Sequence, residues 1–356
     1  MNRLPEQDLD HVLEHTEGLW EQLRREPVFM TGGTGFVGRW LLESLLWISD
    51  RLGLDVRVTA LTRDPERFTK SAPHLASHAG LRLLRGNVVD FDFPDHTYPF
   101  VIHAATERIT APTLEQPLGS FAADERGTRR VLEFACSHRT RRLLFTSSGA
   151  VYGRQPSQVL NVPEEYTGAP ATVDIGATYA HAKRISEFMC ASYGSAHQFD
   201  VVIARLFAFV GPLLPLDTNY AVGNFIRDVI GGGPIRIAGD GTPYRSYLYS
   251  ADLAIWLWTM LFRGKAAFPY NVGASTALSI AQLARTVAEA TGAEVRIEIA
   301  HRPEPGQAPE RYVPDTTRAR ELGLRPLISV DEGIRRTVSW HRACRQRTVA
   351  QSAGVA

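Results

Sequence analysis

Short apolar runs alternate with amphipathic segments through the first two thirds of the chain. The runs are rich in β-branched residues, as strands are, and the segments between them repeat apolar residues at helical spacing. In chain order, strands are predicted in VFMTGG, DVRVTALTR, LRLLRGNVV, PFVIHAATE, RRLLFTSSGAVYG and DVVIARLFAFVG. This alternation predicts an α/β fold with a Rossmann-type doubly wound parallel sheet. Ligands of such sheets bind beyond the carboxyl ends of the strands.

The pattern changes on either side of this region. Apolar residues at roughly helical spacing ahead of the first strand predict a helical extension over residues 1–26. The dinucleotide-binding domain is predicted over residues 27–210, with part of 245–275 returning to it. Pro and Gly become dense after about residue 211, which predicts a smaller, loop-rich substrate-binding lobe over 211–345. The C-terminal segment 346–356 is predicted to be disordered.

Composition narrows the class of function. Of the 356 residues 44% are hydrophobic and 22% charged, and the net charge of +1 gives no reason to bind nucleic acid or an anionic membrane. The three cysteines have no metal-ligand spacing and are typical of thiols in a reducing compartment. No apolar run is long enough to cross a bilayer, and the N-terminus has no signal core. We therefore expect a cytoplasmic protein without a metal.

The segment TGGTGFVG places several glycines between the first strand and the first long helix. Glycine loses more backbone freedom on folding than any other residue, so this density needs a reason. Gly33, Gly35 and Gly38 satisfy G-x-G-x-x-G, and Gly32 satisfies a wider spacing with the last two. Between a strand and a helix, such a turn brings bare backbone and the first helical amides to a pyrophosphate. The alternative is a flexible turn without a ligand.

The end of the second predicted strand distinguishes NAD from NADP. An acidic residue there would accept hydrogen bonds from the ribose hydroxyls and indicate NAD(H). Thr62 occupies that position and Arg63 follows, and a guanidinium can bind a 2′-phosphate through two parallel hydrogen bonds. NADP(H) is therefore the preferred cofactor, with Arg39 as a second positive group. The alternative is NAD(H), with Arg63 solvated and Asp64 on the ribose.

A tyrosine and a lysine in TYAHAKRISE indicate acid–base chemistry. Tyr179 and Lys183 share one face of a predicted helix, where the ammonium would lower the pKa of the phenol and also reach a ribose hydroxyl. Ser148 ends a predicted strand at the ligand-binding edge, and its hydroxyl could polarise a substrate carbonyl. Separately, these residues could be a surface pair and a turn cap. Together, downstream of the glycine-rich turn, they predict hydride transfer at a carbinol carbon.

Taken in sequence order, the motifs resemble the extended short-chain dehydrogenase/reductases, in particular the nucleotide-sugar epimerase/dehydratase group. The resemblance runs from about residue 27 to about residue 330 and includes TGGTGFVG, VIHAA, RGTRRVLEFA, TSSGAVYG, YAHAK, RLFAFVGP, YNVGAS and RARELGLRP. It implies a Rossmann lobe, a smaller lobe that binds a nucleoside-diphosphate sugar, and a homodimer formed through helices of the first lobe.

The resemblance also assigns roles to single positions. Ser148, Tyr179 and Lys183 match the catalytic alcohol, the acid–base tyrosine and the lysine of the family. Arg245 matches an arginine that contacts the substrate diphosphate, and Arg311 is a weaker candidate for the same contact. The predicted substrate-binding residues are Thr106, Ser148, Arg245 and Arg311. The predicted cofactor-binding residues are Gly32, Gly33, Thr34, Gly35, Phe36, Val37, Gly38, Arg39, Thr62, Arg63, Asn87, Val88, Ala104, Ala105, Tyr179 and Lys183.

Departures from the family pattern narrow the reaction. Sugar 4,6-dehydratases place an Asp–Glu pair directly after the catalytic hydroxyl, and related decarboxylases also need the glutamate. The same positions here are Gly149 and Ala150, which cannot move a proton. Members that invert carbons beside the ketone place a cysteine at the first of these positions and a histidine after GP, where this chain has GPLLPL. Ala208 replaces a usual asparagine, and Asn87 replaces a common adenine-contacting aspartate.

Of the reactions typical of the family, oxidation or reduction at a single carbon is the one that these departures leave open. A reductase consumes NADPH, whereas an epimerase recycles a tightly held cofactor that is more often NAD. Thr62 and Arg63 therefore favour reduction of a 4-keto-(6-deoxy)hexose attached to a nucleoside diphosphate. The alternatives are a nucleotide-sugar 4-epimerase, then a 4,6-dehydratase, and last a non-catalytic NADP-binding regulator, whose usual mark would be a broken Ser–Tyr–Lys set.

Overall fold

The fold is given by a computed structural model that describes residues 3–106, 116–218, 220–292 and 295–353. Its α-helices are α1 Glu6–Glu14, α2 Phe36–Leu52, α3 Pro65–Ser71, α4 Pro73–Ala76, α5 Gln116–Ser137, α6 Thr178–His197, α7 Ala221–Ile230, α8 Ser250–Arg263, α9 Ile280–Thr291, α10 Thr317–Glu321 and α11 Val330–Ala353.

The strands follow the apolar runs of the sequence in the first half of the chain and are shorter in the second half. They are β1 Pro27–Thr31, β2 Arg57–Thr62, β3 Leu81–Arg85, β4 Phe100–His103, β5 Arg142–Ser148, β6 Asp200–Leu206, β7 Phe209–Val210, β8 Ile235–Ile237, β9 Tyr244–Arg245, β10 Leu248–Tyr249, β11 Pro269–Val272, β12 Leu278–Ser279, β13 Ile297–Ile299 and β14 Arg311–Tyr312.

The central sheet has seven strands in the order β11-β6-β5-β4-β1-β2-β3, and every neighbouring pair is parallel. The order reverses between β1 and β4, which creates a crevice at the carboxyl ends of these strands. The predicted Rossmann-type doubly wound fold is confirmed.

Helices cover both faces of this sheet. Helices α2 and α8 pack against each other on one face, and α5 and α6 pair on the other. Aromatic rings fill the second face, where Phe29 of β1 packs at a tilt against Phe134 of α5 with 4.2 Å between ring centroids. With both faces buried, the strands are apolar almost throughout, which is why they appear as continuous runs in the sequence.

The two ends of the chain differ in detail from the sequence prediction. The N-terminal extension is not one helix, because α1 ends at Glu14 and a separate 3₁₀ turn spans Trp20–Leu23. Gly18 lies between them with φ of +78°, a conformation that interrupts a helix. The prediction of a disordered tail from residue 346 is wrong as far as Ala353, because α11 continues to that residue. Arg, Gln and Ala are frequent there and favour helix.

The second half of the chain forms small sheets beside the carboxyl edge of the central sheet. Strands β12, β9 and β14 form one of them, β8 pairs with β13, and β7 pairs with β10. Between β10 and β12 the chain returns to the first lobe. There α8 packs against α2, and β11 pairs with β6 at the edge of the central sheet. Among the described residues, no helix combines the length and apolar character needed to cross a bilayer.

Candidate active site

The glycine-rich turn joins β1 to α2 at the crevice. Gly32 has φ of +72°, and a Cβ there would collide with the Ala104 backbone at the end of β4. A Cβ on Gly38 would collide with the Gly32 carbonyl, so this position must also stay bare for the turn to close. Gly35 caps α2 without any side-chain hydrogen bond, and a Cβ on it would make only one ordinary contact. The free amides of the helix start therefore fit a pyrophosphate.

The end of β2 presents the predicted ribose-binding residues. Thr62 is buried, and its Oγ1 accepts a hydrogen bond from the Asp64 amide at 3.3 Å. Arg63 is exposed at the carboxyl end of the strand. The Asp64 carboxylate caps α3 by accepting from the Arg67 amide at 2.9 Å, which engages the acid that would otherwise bind a ribose.

Arg39 has a different environment from the one expected of a cofactor ligand. Its side chain is buried, and Nε donates to Glu43 Oε2 at 3.1 Å. Glu43 also accepts from His74 Nε2 at 3.0 Å and from the Leu4 amide at 2.8 Å. Arg39 thus belongs to a buried ionic cluster that ties the N-terminal segment and α4 to α2.

The end of β4 contributes small residues and a buried histidine. Ala104 and Ala105 follow His103 and are half-buried, and their small side chains suit the close approach of the Gly32 backbone. His103 bonds with Thr31 Oγ1 at 2.8 Å and with Thr128 Oγ1 at 3.1 Å. Burial, together with the positive charge of Lys183, lowers the pKa of His103 to about 3, so this imidazole is neutral at physiological pH.

Farther along the same edge, Asn87 and Val88 follow β3. Asn87 is exposed, and its Oδ1 accepts from the Val89 amide at 3.4 Å. Val88 is half-buried against α5, where a Cβ on Gly127 would lie 2.8 Å from Val88 Cγ1. Both residues therefore lie at the carboxyl edge of the sheet, as predicted for residues that line a dinucleotide crevice.

The predicted catalytic residues meet at the ends of β5 and α6. Tyr179 lies close enough to Ser148 for the serine hydroxyl to lower the pKa of its phenol, and the Ala150 amide donates to Ser148 Oγ at 3.2 Å. Lys183 is buried one turn along α6, with Nζ 5.7 Å from the centre of the Tyr179 ring. The same ammonium donates to the Thr146 carbonyl at 3.0 Å. Spacing in the sequence and geometry in space therefore agree on this trio.

The protonation of the trio differs from the sequence expectation. The prediction that Lys183 lowers the pKa of Tyr179 is not supported, because burial raises that pKa and the bond to Ser148 offsets the rise only in part. Burial also lowers the pKa of Lys183. Tyr179 is consequently a neutral phenol at physiological pH, ready to give a proton.

A carboxylate that the sequence reading missed lies near the trio. Asp124 of α5 is buried and accepts from Thr106 Oγ1 at 3.1 and 3.2 Å. Its negative charge raises the pKa of both Lys183 and Tyr179. Thr106 was predicted as a substrate contact, and the structure shows that its hydroxyl also fixes this carboxylate.

An aromatic ring fills the space beside Gly149, the residue that follows Ser148. A Cβ placed on Gly149 would lie 2.6 Å from Cζ of Phe207 and 2.8 Å from its two neighbouring ring carbons. Phe207 in turn packs against Tyr312, with 4.6 Å between ring centroids. The space that a side chain at position 149 would need is therefore occupied by Phe207.

The second lobe adds a tyrosine that sequence reasoning did not identify. Tyr312 Oη and Ser148 Oγ are 3.5 Å apart, although the two residues are 164 positions apart in the chain. Tyr312 lies opposite Arg245 in the register of β14 and β9, and the Arg245 guanidinium is 5.9 Å from the centre of its ring. Arg245 therefore lies beside Tyr312, and its Nη1 also donates to the Tyr244 carbonyl at 2.8 Å.

Arg311 precedes Tyr312 on the same strand and so points to the opposite face. Its Nε donates to the Leu160 carbonyl at 3.0 Å, and its guanidinium lies 4.6 Å from the centre of the Tyr244 ring. The structure does not bring Arg311 together with Ser148.

A buried polar network supports the strand end that carries Ser148. The neighbouring Ser147 donates to Glu187, which forms a two-pronged ion pair with Arg205 at 2.7 to 3.2 Å. Arg205 also donates to Tyr152 Oη at 2.8 Å, and Tyr152 donates to Asn271 at 2.8 Å. Because these groups come from four separate segments, the network fixes the backbone around the site.

Comparison with known proteins identifies the family. The NAD dependent epimerase/dehydratase family matches residues 28–273, and the chain belongs to this family of enzymes. UDP-glucuronic acid decarboxylase 1 of Xenopus tropicalis is 28% identical over 321 residues, covering 89% of this chain and 72% of that protein. dTDP-glucose 4,6-dehydratase of Streptomyces niveus is 27% identical over 328 residues, covering 88% of this chain and 92% of that protein.

Solved structures of similar proteins agree on the fold. UDP-N-acetylglucosamine 4-epimerase from Methanobrevibacter ruminantium M1, solved in complex with UDP-N-acetylmuramic acid, superimposes with a TM-score of 0.77 at 20% identity. The match covers 90% of this chain and 99% of that one. These structures share the fold, and the family match over residues 28–273 confirms the resemblance to the extended short-chain dehydrogenase/reductases.

Proposed function

We propose that the chain is an NADPH-dependent reductase acting at C4 of a 4-keto-(6-deoxy)hexose bound to a nucleoside diphosphate. The observation that carries this proposal is the environment of Gly149. Dehydratases and decarboxylases that resemble this chain use acidic side chains directly after the catalytic alcohol. Gly149 and Ala150 offer none, and Phe207 fills the adjacent space. Elimination of water and deprotonation of a ring carbon therefore lack their acid and base at this position.

The protonation state of Tyr179 fits the role of proton donor. Ketone reduction needs a proton donor beside the carbonyl oxygen. A phenol whose pKa is raised by burial holds its proton at physiological pH. Tyr179 can therefore supply the proton that the reduced C4 oxygen takes up.

The residues take distinct roles in this reaction. The bound NADPH supplies the hydride to C4. Tyr179 donates its proton to the C4 oxygen as negative charge develops there, and Ser148 donates a hydrogen bond to the same oxygen. Lys183 places its amine beside the phenol, at a site closed to solvent. Arg245, on the facing wall, is placed to bind the diphosphate of the substrate.

The preference for NADPH rests on the end of β2. Arg63 is exposed there, whereas one oxygen of the Asp64 carboxylate accepts from the Arg67 amide as the cap of α3, which favours the guanidinium as the group that meets the ribose. The glycine-rich turn and the start of α2 would hold the pyrophosphate. Arg39 is not among these phosphate contacts, because its buried side chain pairs with Glu43.

We also propose a homodimer formed through α5 and α6. These two helices pair on one face of the sheet, and each exposes a large apolar side chain, Leu118 at 78% and Phe188 at 66%. Sedimentation equilibrium of the full chain would test this assembly.

Two measurements test the reaction. Purified protein is denatured, and the released nucleotides are identified by mass spectrometry. NADPH oxidation is then followed with a panel of 4-keto-6-deoxy nucleotide sugars differing in the base. We expect turnover with NADPH and one preferred nucleotide. Co-purified NAD, with no NADPH consumption and with interconversion of C4 epimers, would replace the reductase proposal with an epimerase.

A further inference from the structure

Three donors surround the oxygen of the catalytic alcohol. The Ala150 amide donates to Ser148 Oγ at 3.2 Å, Tyr312 Oη lies 3.5 Å from the same oxygen, and Tyr179 lies near enough for Ser148 to lower the pKa of its phenol. A hydroxyl oxygen accepts two hydrogen bonds and donates one. With the amide in one accepting position, a single phenol can occupy the second.

The chemistry decides which phenol that is. In the proposed reaction Tyr179 must turn its proton toward the substrate oxygen, so it cannot also donate to Ser148 at that moment. Tyr312 transfers no proton in this reaction. Its hydroxyl has two acceptors within reach, Ser148 Oγ at 3.5 Å and the Leu206 carbonyl at 3.4 Å. Burial raises the pKa of Tyr312 to about 12, so its proton is present throughout the physiological range.

The position of Tyr312 in the fold adds a link to the substrate. It lies on β14, in register with Arg245 on β9, and the Arg245 guanidinium lies near its ring. The ring also packs against Phe207, which closes the space beside Gly149. The residue that touches the catalytic alcohol thus belongs to the same small sheet as the predicted diphosphate contact.

We propose that Tyr312 is a positioning residue for Ser148. When Tyr312 donates to Ser148 Oγ, the Ala150 amide and Tyr312 together fill both acceptor positions of that oxygen. The Ser148 proton is then directed at the substrate oxygen. Tyr179 is thereby released to transfer its own proton. Because Tyr312 and Arg245 share a sheet, binding of the diphosphate favours the arrangement in which the alcohol is aimed. This inference rests on the proposed function.

A double-mutant cycle tests this role. Tyr312→Phe removes the hydroxyl and keeps the ring against Phe207, and Ser148→Ala removes its partner. We expect Tyr312→Phe to lower kcat roughly ten-fold with little change in KM, the effect of one hydrogen bond realised at the reacting centre. In the Ser148→Ala background the same change should cost less than about two-fold. Tyr244→Phe, on the neighbouring strand, is the matched control and should leave kcat unchanged.

The outcomes separate this inference from the proposed function. An equal loss from Tyr312→Phe in both backgrounds would indicate a merely structural role, and an unchanged kcat would mean no role; either overturns the inference while reductase activity stands. If the wild type reduces none of the ketosugars, the proposed function fails instead. Thermal unfolding of the same four proteins then decides: coupled midpoint shifts support the Ser148–Tyr312 bond, and additive shifts overturn it.

Discussion

The two sides of the cleft are built in different ways. The first lobe supplies Ser148, Tyr179 and Lys183 from β5 and α6, long elements held by the central sheet and its helical layer. The second lobe supplies Arg245 and Tyr312 from β9 and β14, strands of two residues each. Long elements repeat a pattern and give fixed directions to their side chains, whereas two-residue strands take their direction from their neighbours.

This difference has a functional consequence. In the proposed reaction the first-lobe residues carry out the proton transfer. The second-lobe Tyr312 approaches Ser148 from the other side of the cleft, where we propose that the substrate binds. The family match covers residues 28–273 and so includes Arg245, whereas Tyr312 lies beyond it.

The largest expected effect would break the first side of the cleft. Tyr179→Phe removes the proton donor, and we expect kcat to fall by about 10² to 10⁴ while NADPH binding is retained. Tyr193→Phe on the same helix is the control. Steady-state kinetics and titration of NADPH fluorescence provide the measurements. Near-normal turnover in Tyr179→Phe would contradict the assignment and revive a cofactor-binding regulator.

The second effect sharpens the assignment of the cofactor. Arg63→Ala should raise KM for NADPH about 10- to 100-fold, the worth of a charge-assisted hydrogen bond to a phosphate, and leave KM for NADH nearly unchanged. Arg82, an exposed arginine on β3, serves as the control. Arg82→Ala should alter neither the KM for NADPH nor the KM for NADH. Equal changes with both cofactors would remove the case for a 2′-phosphate contact at Arg63.

The third effect concerns the space beside the alcohol. Gly149→Ala forces a methyl group against the Phe207 ring and should lower the free energy of unfolding by about 1–3 kcal/mol. In a Phe207→Ala background the added cost should largely disappear. Gly119→Ala on α5 has open space around it and should be neutral or slightly stabilising. Denaturant unfolding of the wild type and these variants measures each free energy of unfolding. If Gly149→Ala costs as much in the Phe207→Ala background as in the wild type, the ring does not fill this space.

The smallest effect concerns the pH dependence of the reaction. The Asp124 charge raises the pKa of both Lys183 and Tyr179, so Asp124→Asn should lower both. The ammonium and the phenolic proton are then lost at lower pH, and the alkaline limb of the kcat profile moves to lower pH. The control is Glu125→Gln at the position after Asp124. It disrupts the ion pair between Glu125 and Arg129 and should leave the pH profile of kcat unchanged. A shift toward higher pH would reverse the electrostatic assignment of Asp124.

The sequence predicted the parts of the molecule that local pattern determines. Apolar runs and helical spacing identified the strands and helices of the central sheet, and the glycine-rich turn follows from backbone conformation at Gly32 and Gly38. Ser148, Tyr179 and Lys183 were found because their spacing within β5 and α6 is itself informative.

What the sequence missed depends on contacts between distant segments. Tyr312 reaches Ser148 across 164 positions, and its two-residue strand carries no period that could indicate a side chain's direction. Asp124 lies within a long helix, and nothing in its local pattern distinguishes it from the solvated acids around it. Arg39 directly follows the last glycine of the turn, which is why the sequence predicts a cofactor contact. The pattern does not show that this helix face is buried, where Glu43 one turn along pairs with Arg39.

Transfer of label tests the central claim most directly. The protein is incubated with NADPH carrying deuterium at the transferred position and with the preferred 4-keto nucleotide sugar, and the product is analysed by mass spectrometry and NMR. Net reduction predicts one deuterium bound to C4 of the sugar and an equal amount of oxidised cofactor. A sugar product without deuterium, formed with no net loss of NADPH, would contradict the account.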